Sequence, residues 1–149
     1  MEPDVTNSEV DRIRICADVF RRATESLHRL QGRISDPLFE ASSVGDTRAF
    51  RVLNEGNNAI DDARPFVRMA HSALVKYGKE MEQVQVQFQN PGLVVTYSHY
   101  LGHALREAAH IDLKALQASA TAVGFDAAAF RAISEAVERA RYYESHGDI

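Results

Sequence analysis

The chain has 149 residues, of which 45% are hydrophobic and 26% charged, and both values are ordinary for a soluble globular domain. Its formal net charge of −4 argues against a dedicated nucleic-acid-binding protein, because affinity for phosphates grows with the number of basic side chains. The composition also excludes a collagen, a disulfide scaffold and a disordered tail. We expect one helical domain over residues 1–149, with residues 1–7 flexible and residues 145–149 frayed.

The single cysteine, Cys16, rules out an intramolecular disulfide. It shares an apolar helical stripe with Ile13 and Phe20, which predicts a side chain that fills the core. The N-terminus is acidic and lacks the apolar stretch of a secretory signal, and no window is long enough to cross a membrane. These features predict a cytoplasmic protein that makes no membrane contact.

Apolar residues at three- and four-residue steps predict a first helix from about Ser8 to Ile34, ended by Asp36 before Pro37. A loop to Val44 and a short extra helix follow.

Residues 55–58 are expected to interrupt that short helix. A second long helix is then predicted to begin near Asp61 or Asp62, because that start places Pro65 in the first helical turn. The alternative is a helix that is kinked at Pro65.

The periodicity changes after this helix. Residues 84–89 alternate between apolar and polar types, residues 90–92 are turn formers, and residues 93–97 are rich in β-branched and aromatic types. This pattern predicts a small β-hairpin over 83–97. Its register would place these residues on one face: Val84, Val86, Phe88, Leu93, Val95 and Tyr97. The alternative is that Met81, Val84 and Phe88 continue the preceding helical stripe.

Two helices close the chain. The third long helix is expected from about Ser98 to Ala122, with Gly124 just past its end and Asp126 capping the last helix. The predicted fold class is therefore mainly α: a four-helix-type bundle with a short extra helix and a hairpin between the second and third long helices.

One constellation on the third helix suggests metal chemistry. Its members follow spacings of four, four and three: His99, His103, Glu107 and His110. Histidines four residues apart suit zinc, and a glutamate serves as a further ligand or as a base. The stripe lies opposite the apolar face of the helix, which favours solvated or interface histidines. His71, on the second helix, is the one further group that could complete such a site.

The clearest local departure from the average composition is a neutral segment, residues 83–105, which contains no Asp, Glu, Lys or Arg. Natural sheets protect exposed edges with charge or a cover, so an uncharged hairpin requires shelter. The shelter would come from the chain's own helices, from a second copy, or from a partner's added strand. The candidate interface residues are Val84, Val86, Phe88, Val95, Tyr97 and Tyr100.

The primary functional prediction is a non-catalytic binding or assembly protein without a cofactor. It would act through self-association, or by binding another protein, at the neutral segment. The alternative is a metal-dependent or nuclease-like enzyme that uses a divalent metal at the histidine stripe, with His99, His103, Glu107 and His110 as its site. A regulator that binds a small ligand between helices is a third class.

Overall fold

A computed structural model of the chain describes the backbone of residues 7–87 and 91–147 and the side chains of residues 9–83 and 98–147. Its five helices are α1 (Asn7–Val44), α2 (Thr47–Gln87), α3 (Pro91–Ala108), α4 (Leu113–Ala122) and α5 (Ala127–His146). The described backbone contains no β-strand. The prediction of a mainly α protein is confirmed.

The helices form a bundle of four columns, of which the third is built from two helices. α1 and α2 are antiparallel, because Gly78 lies against Ile13 whereas Gln31 contacts Asn57. α3 and α4 follow one another along α2, and α5 returns along α1. The resulting order is up-down-up-down, in which short connections join antiparallel neighbours.

The core lies between these columns and contains side chains from every helix. Its largest fully buried members include Phe20, Leu27, Leu30, Ile34, Ile60, Leu74, Leu105, Leu116 and Ile133. Burying each such side chain contributes about 1.5–3 kcal/mol of transfer free energy, so the packed faces stabilise the helices.

A polar cluster fixes the register of α1 against α2. The Gln31 amide nitrogen donates hydrogen bonds to Asn57 Oδ1 at 3.1 Å and to Asp61 Oδ1 at 2.8 Å. The Gln31 amide oxygen accepts a hydrogen bond from Arg64 Nη1 at 2.7 Å. Because sliding of one helix along the other would break all three hydrogen bonds, they favour the observed register.

The predicted β-hairpin over 83–97 is wrong. Residues 84–87 are the end of α2 and residues 91–97 are the start of α3, whereas 88–90 lie outside the described residues. Two local features favour helix: the apolar stripe of α2 continues at three- and four-residue steps, and Pro91 occupies the first helical position, where its missing N–H is tolerated. The alternating β-type pattern was a weaker signal than the continuing stripe.

The predicted helix ends near the two prolines are also wrong. α1 continues through Pro37 to Val44, and α2 is continuous from Thr47 past Gly56 and Pro65. Each proline removes one intrahelical hydrogen bond, but packing of the two long helices offsets this loss. Ala41, for example, is buried in α1 beyond Pro37.

The third predicted helix is interrupted at residues 109–112 and begins earlier than expected, at Pro91 rather than near Ser98. Asp112 caps α4 through its side chain, which accepts a hydrogen bond from the Ala115 amide at 3.0 Å. The predicted cap of the last helix is confirmed, since Asp126 accepts a hydrogen bond from the Ala129 amide at 3.1 Å. Gly124, with φ of 62°, follows α4 as predicted.

The predicted burial of Cys16 is confirmed, because its side chain is fully enclosed in the core. Burial raises the pKa of the Cys16 thiol to about 11, although the nearby Arg139 guanidinium opposes that rise. The thiol therefore stays protonated and unreactive at neutral pH.

We expect the folded protein to lose stability as the pH rises from 9 to 11, in part through Cys16. In the unfolded chain the thiol ionises near its ordinary pKa of 9.0 while the buried thiol keeps its proton, so ionisation favours the unfolded chain. A shift of this size corresponds to roughly 2–3 kcal/mol. Urea unfolding of wild type and Cys16→Ala across this pH range measures it. Parallel stability curves for the two proteins would contradict the prediction.

Candidate functional site

The histidine stripe does not converge on one site. His99 and His103 are exposed on α3, and Glu107 is exposed one turn further along. The His103 ring packs edge-on against Phe66 of α2, with ring centroids 6.0 Å apart. The two imidazoles thus lie one helical turn apart on the outer surface of α3.

His110 belongs to a different local arrangement. It lies in the break between α3 and α4, where its Nε2 is 2.9 Å from the Glu144 carboxylate of α5. Beside it, Arg141 Nε donates a hydrogen bond of 3.1 Å to the Ala109 carbonyl oxygen. These contacts tie α5 to the break, and they satisfy a carbonyl left free at the end of α3.

Among the described side chains, no group of three or more His, Cys, Asp or Glu is arranged to hold a metal ion. His71 lies half-buried on α2 and does not complete such a group. The structure therefore does not gather the predicted ligands His99, His103, Glu107 and His110 within one chain.

The described parts of the neutral segment, residues 83–87 and 91–105, lie where α2 ends and α3 begins. Gly78 lies opposite Ile13, and α2 then continues nine residues to Gln87 whereas α1 reaches back six residues to Asn7. At 1.5 Å per residue, α2 extends about 4–5 Å beyond the start of α1. The start of α3 at Pro91 lies about 10 Å from Ser98 along the helix axis.

Of the predicted interface residues, only Tyr100 has a described side chain, and 58% of its surface is exposed. The side chains of Val84, Val86, Val95 and Tyr97, together with the whole of Phe88, lie outside the described residues. Tyr100 thus gives the neutral segment one large exposed aromatic group.

An open cavity of about 340 Å³ lies at the base of the neutral segment, between α1, α2, α3 and α5. Apolar side chains and polar groups both contribute to its lining, which consists of Glu9, Arg12, Ile13, Tyr77, Met81, Ser98, Leu101, Tyr143 and Gly147. The volume is at the lower end of the range for small-ligand sites.

Sequence reasoning missed how α5 reaches this cavity. Tyr143 packs over Gly102 of α3, and a Cβ added to that glycine would lie 2.8 Å from the tyrosine hydroxyl. Gly102 therefore leaves room for the end of the Tyr143 ring, which a larger residue would displace. An isolated glycine inside a helical stripe was the available signal, since such glycines often mark close packing.

An exposed apolar surface lies at the opposite end of the bundle, at the α1–α2 turn. Phe39 is 76% exposed, Val44 71% and Phe50 37%. α1 extends beyond the α4–α5 turn, because Arg33 donates a hydrogen bond to the Val123 carbonyl eleven residues before α1 ends. The sequence predicted a loop from Asp36 to Val44, so this surface of α1 was not expected.

Within the part of the chain that the structure describes, no helix is long and apolar enough to cross a membrane.

Comparisons with protein-family models, with curated proteins and with solved structures found no match for this chain.

Proposed function

We propose that this chain is a non-catalytic assembly protein that self-associates through the neutral segment, residues 83–105. The observation that carries the proposal is the placement of this charge-free stretch at one end of a bundle whose chain is 26% charged. Protein interfaces are depleted of charged residues at their centre and enriched in tyrosine, and Tyr100 is exposed there.

The lack of charge favours a second copy as the partner. A two-fold interface places one surface against an identical copy of itself. A surface with an excess of one charge would therefore repel its copy. The chain has a net charge of −4, and most other segments carry acidic groups. The neutral segment avoids this repulsion, whereas recognition of a different protein commonly uses complementary charges.

The helical backbone of residues 84–87 and 91–97 limits the ways in which two copies can meet. Strand addition required an exposed β-edge, and residues 84–87 and 91–97 are helical. Self-association would therefore proceed by packing of helix against helix, with side chains interdigitating as in other helical interfaces.

The test is size-exclusion chromatography with light scattering over a range of protein concentrations. We expect a wild-type dimer, and a loss of at least tenfold in dimer affinity for Tyr100→Asp, because the substitution buries an unpaired carboxylate at the interface. Tyr142→Asp is the matched control, since Tyr142 is also exposed, at 49%, but lies on α5 outside the neutral segment.

Circular dichroism of both variants verifies that they are folded. A folded wild-type protein that remains monomeric at every concentration would contradict self-association. Equal weakening by the two substitutions would place the interface elsewhere.

A further inference from the structure

We propose that His99 and His103 bind a zinc ion together with the same two residues of a second copy, so that the metal bridges the dimer. This inference rests on the proposed self-association through the neutral segment, which contains both histidines.

The pair has the geometry of a half-site. Residues four apart on a helix lie on one face with Cβ atoms about 5–6 Å apart, which lets two imidazoles reach one ion. Both side chains are exposed on α3. The His103 and Phe66 rings meet in a T-shaped arrangement, and no hydrogen bond or ion pair with a described residue engages either histidine. Neutral imidazole is a common zinc ligand near physiological pH.

One chain leaves the coordination incomplete. Structural zinc takes four ligands in a tetrahedral arrangement, and the described part of the chain offers no third group that could join these two. Glu107 lies two helical turns from His99, about 12 Å along the axis, so those two cannot bind the same ion. His110 pairs with Glu144 instead.

A second copy supplies what is missing. The α3 helix carries no charged residue from Pro91 to Leu105, so two such helices can cross near His99 and His103 without burying a charge. A two-fold axis at this crossing brings four imidazoles to one ion. Arg106 and Glu107, the first charged residues of the helix, then fall at the rim, where charges remain hydrated.

The experiment measures the mass of the protein and its zinc content, with zinc chloride added or with EDTA present. We expect zinc to tighten dimerisation at least tenfold and to bind at one ion per two chains. His99→Gln and His103→Gln should each abolish the zinc effect, whereas the control His110→Gln should retain it. Cobalt(II) in place of zinc should give the strong visible absorption bands of a tetrahedral site.

The outcomes separate the two proposals. A dimer that neither binds zinc nor responds to it would overturn the metal bridge and leave self-association standing. A protein that is monomeric with and without zinc would overturn both. One zinc ion per chain on a monomer, or loss of the effect in His110→Gln, would overturn the assignment of the ligands to two copies.

Discussion

Gly56→Ala is expected to destabilise the protein by about 1–3 kcal/mol, although alanine is normally the better residue inside a helix. Gly56 lies in the middle of α2 against α4, and a Cβ added there would overlap the Cβ and Oγ of Ser119. Ser119 is fully buried and its hydroxyl donates a hydrogen bond to the Leu116 carbonyl. The two helices must therefore separate to accommodate a methyl group.

The matched control is Gly32→Ala. Gly32 also lies within a long helix, but an added Cβ would meet nothing within 4 Å. That substitution should stabilise the protein by about 0.5–1 kcal/mol, because alanine reduces the entropy lost on folding. Urea unfolding of both variants measures the contrast. Ser119→Gly added to Gly56→Ala should restore part of the loss, and equal stabilisation by both alanine variants would refute the close contact.

Phe20→Ala should have the larger effect, a loss of about 3–5 kcal/mol, since removing a buried aromatic ring forfeits transfer free energy and leaves a cavity. Phe20 is fully buried on α1, among residues from several helices. Domains of ordinary stability unfold at a cost of about 5–15 kcal/mol, so this one substitution removes a large share of the total.

Phe39→Ala provides the control with the same residue change on the same helix. Phe39 is 76% exposed near the end of α1, so its truncation should change the free energy of unfolding by no more than about 0.5 kcal/mol. Chemical denaturation of the two variants at one protein concentration gives the comparison. A loss for Phe39→Ala as large as that for Phe20→Ala would mean that the ring is covered in solution.

The sequence predicted the helical class and the core well, because burial follows a repeating pattern that one chain carries in full. The stripe of α1 placed Cys16, Phe20 and Leu27 in the core, and all three are buried. The cap of α5 and the glycine after α4 were also predictable, since their chemistry is local.

Helix ends and breaks were less predictable, because tertiary packing decides them. Pro37 and Pro65 have local signals that end helices, yet the antiparallel packing of α1 and α2 keeps both helices continuous. The alternation around Val84 and Val86 predicted a strand, but the backbone there is helical, in line with the continuing apolar stripe of α2. At the break over 109–112, contacts come from Arg141 and Glu144, which lie more than thirty residues away in the sequence.

In the candidate site, too, local spacing was predictable and tertiary contacts were not. Four residues at helical spacing suggested one metal centre, but the break turns His110 toward α5, while His99 and His103 stay on α3. The cavity beside the neutral segment combines residues from four helices, among them Glu9 and Tyr143. No local motif encodes such a convergence.

The division of the third column into α3 and α4 leaves one short helix that depends on its neighbours for its stability. α4 has ten residues, fewer than the ~12–15 that an isolated helix needs to persist in water. Its helicity therefore comes from its neighbours, through Leu116 and Ala120 in the core and the Ser119 contact with Gly56. Local unfolding of α4 would break these contacts and uncover the first half of α2, against which α4 packs.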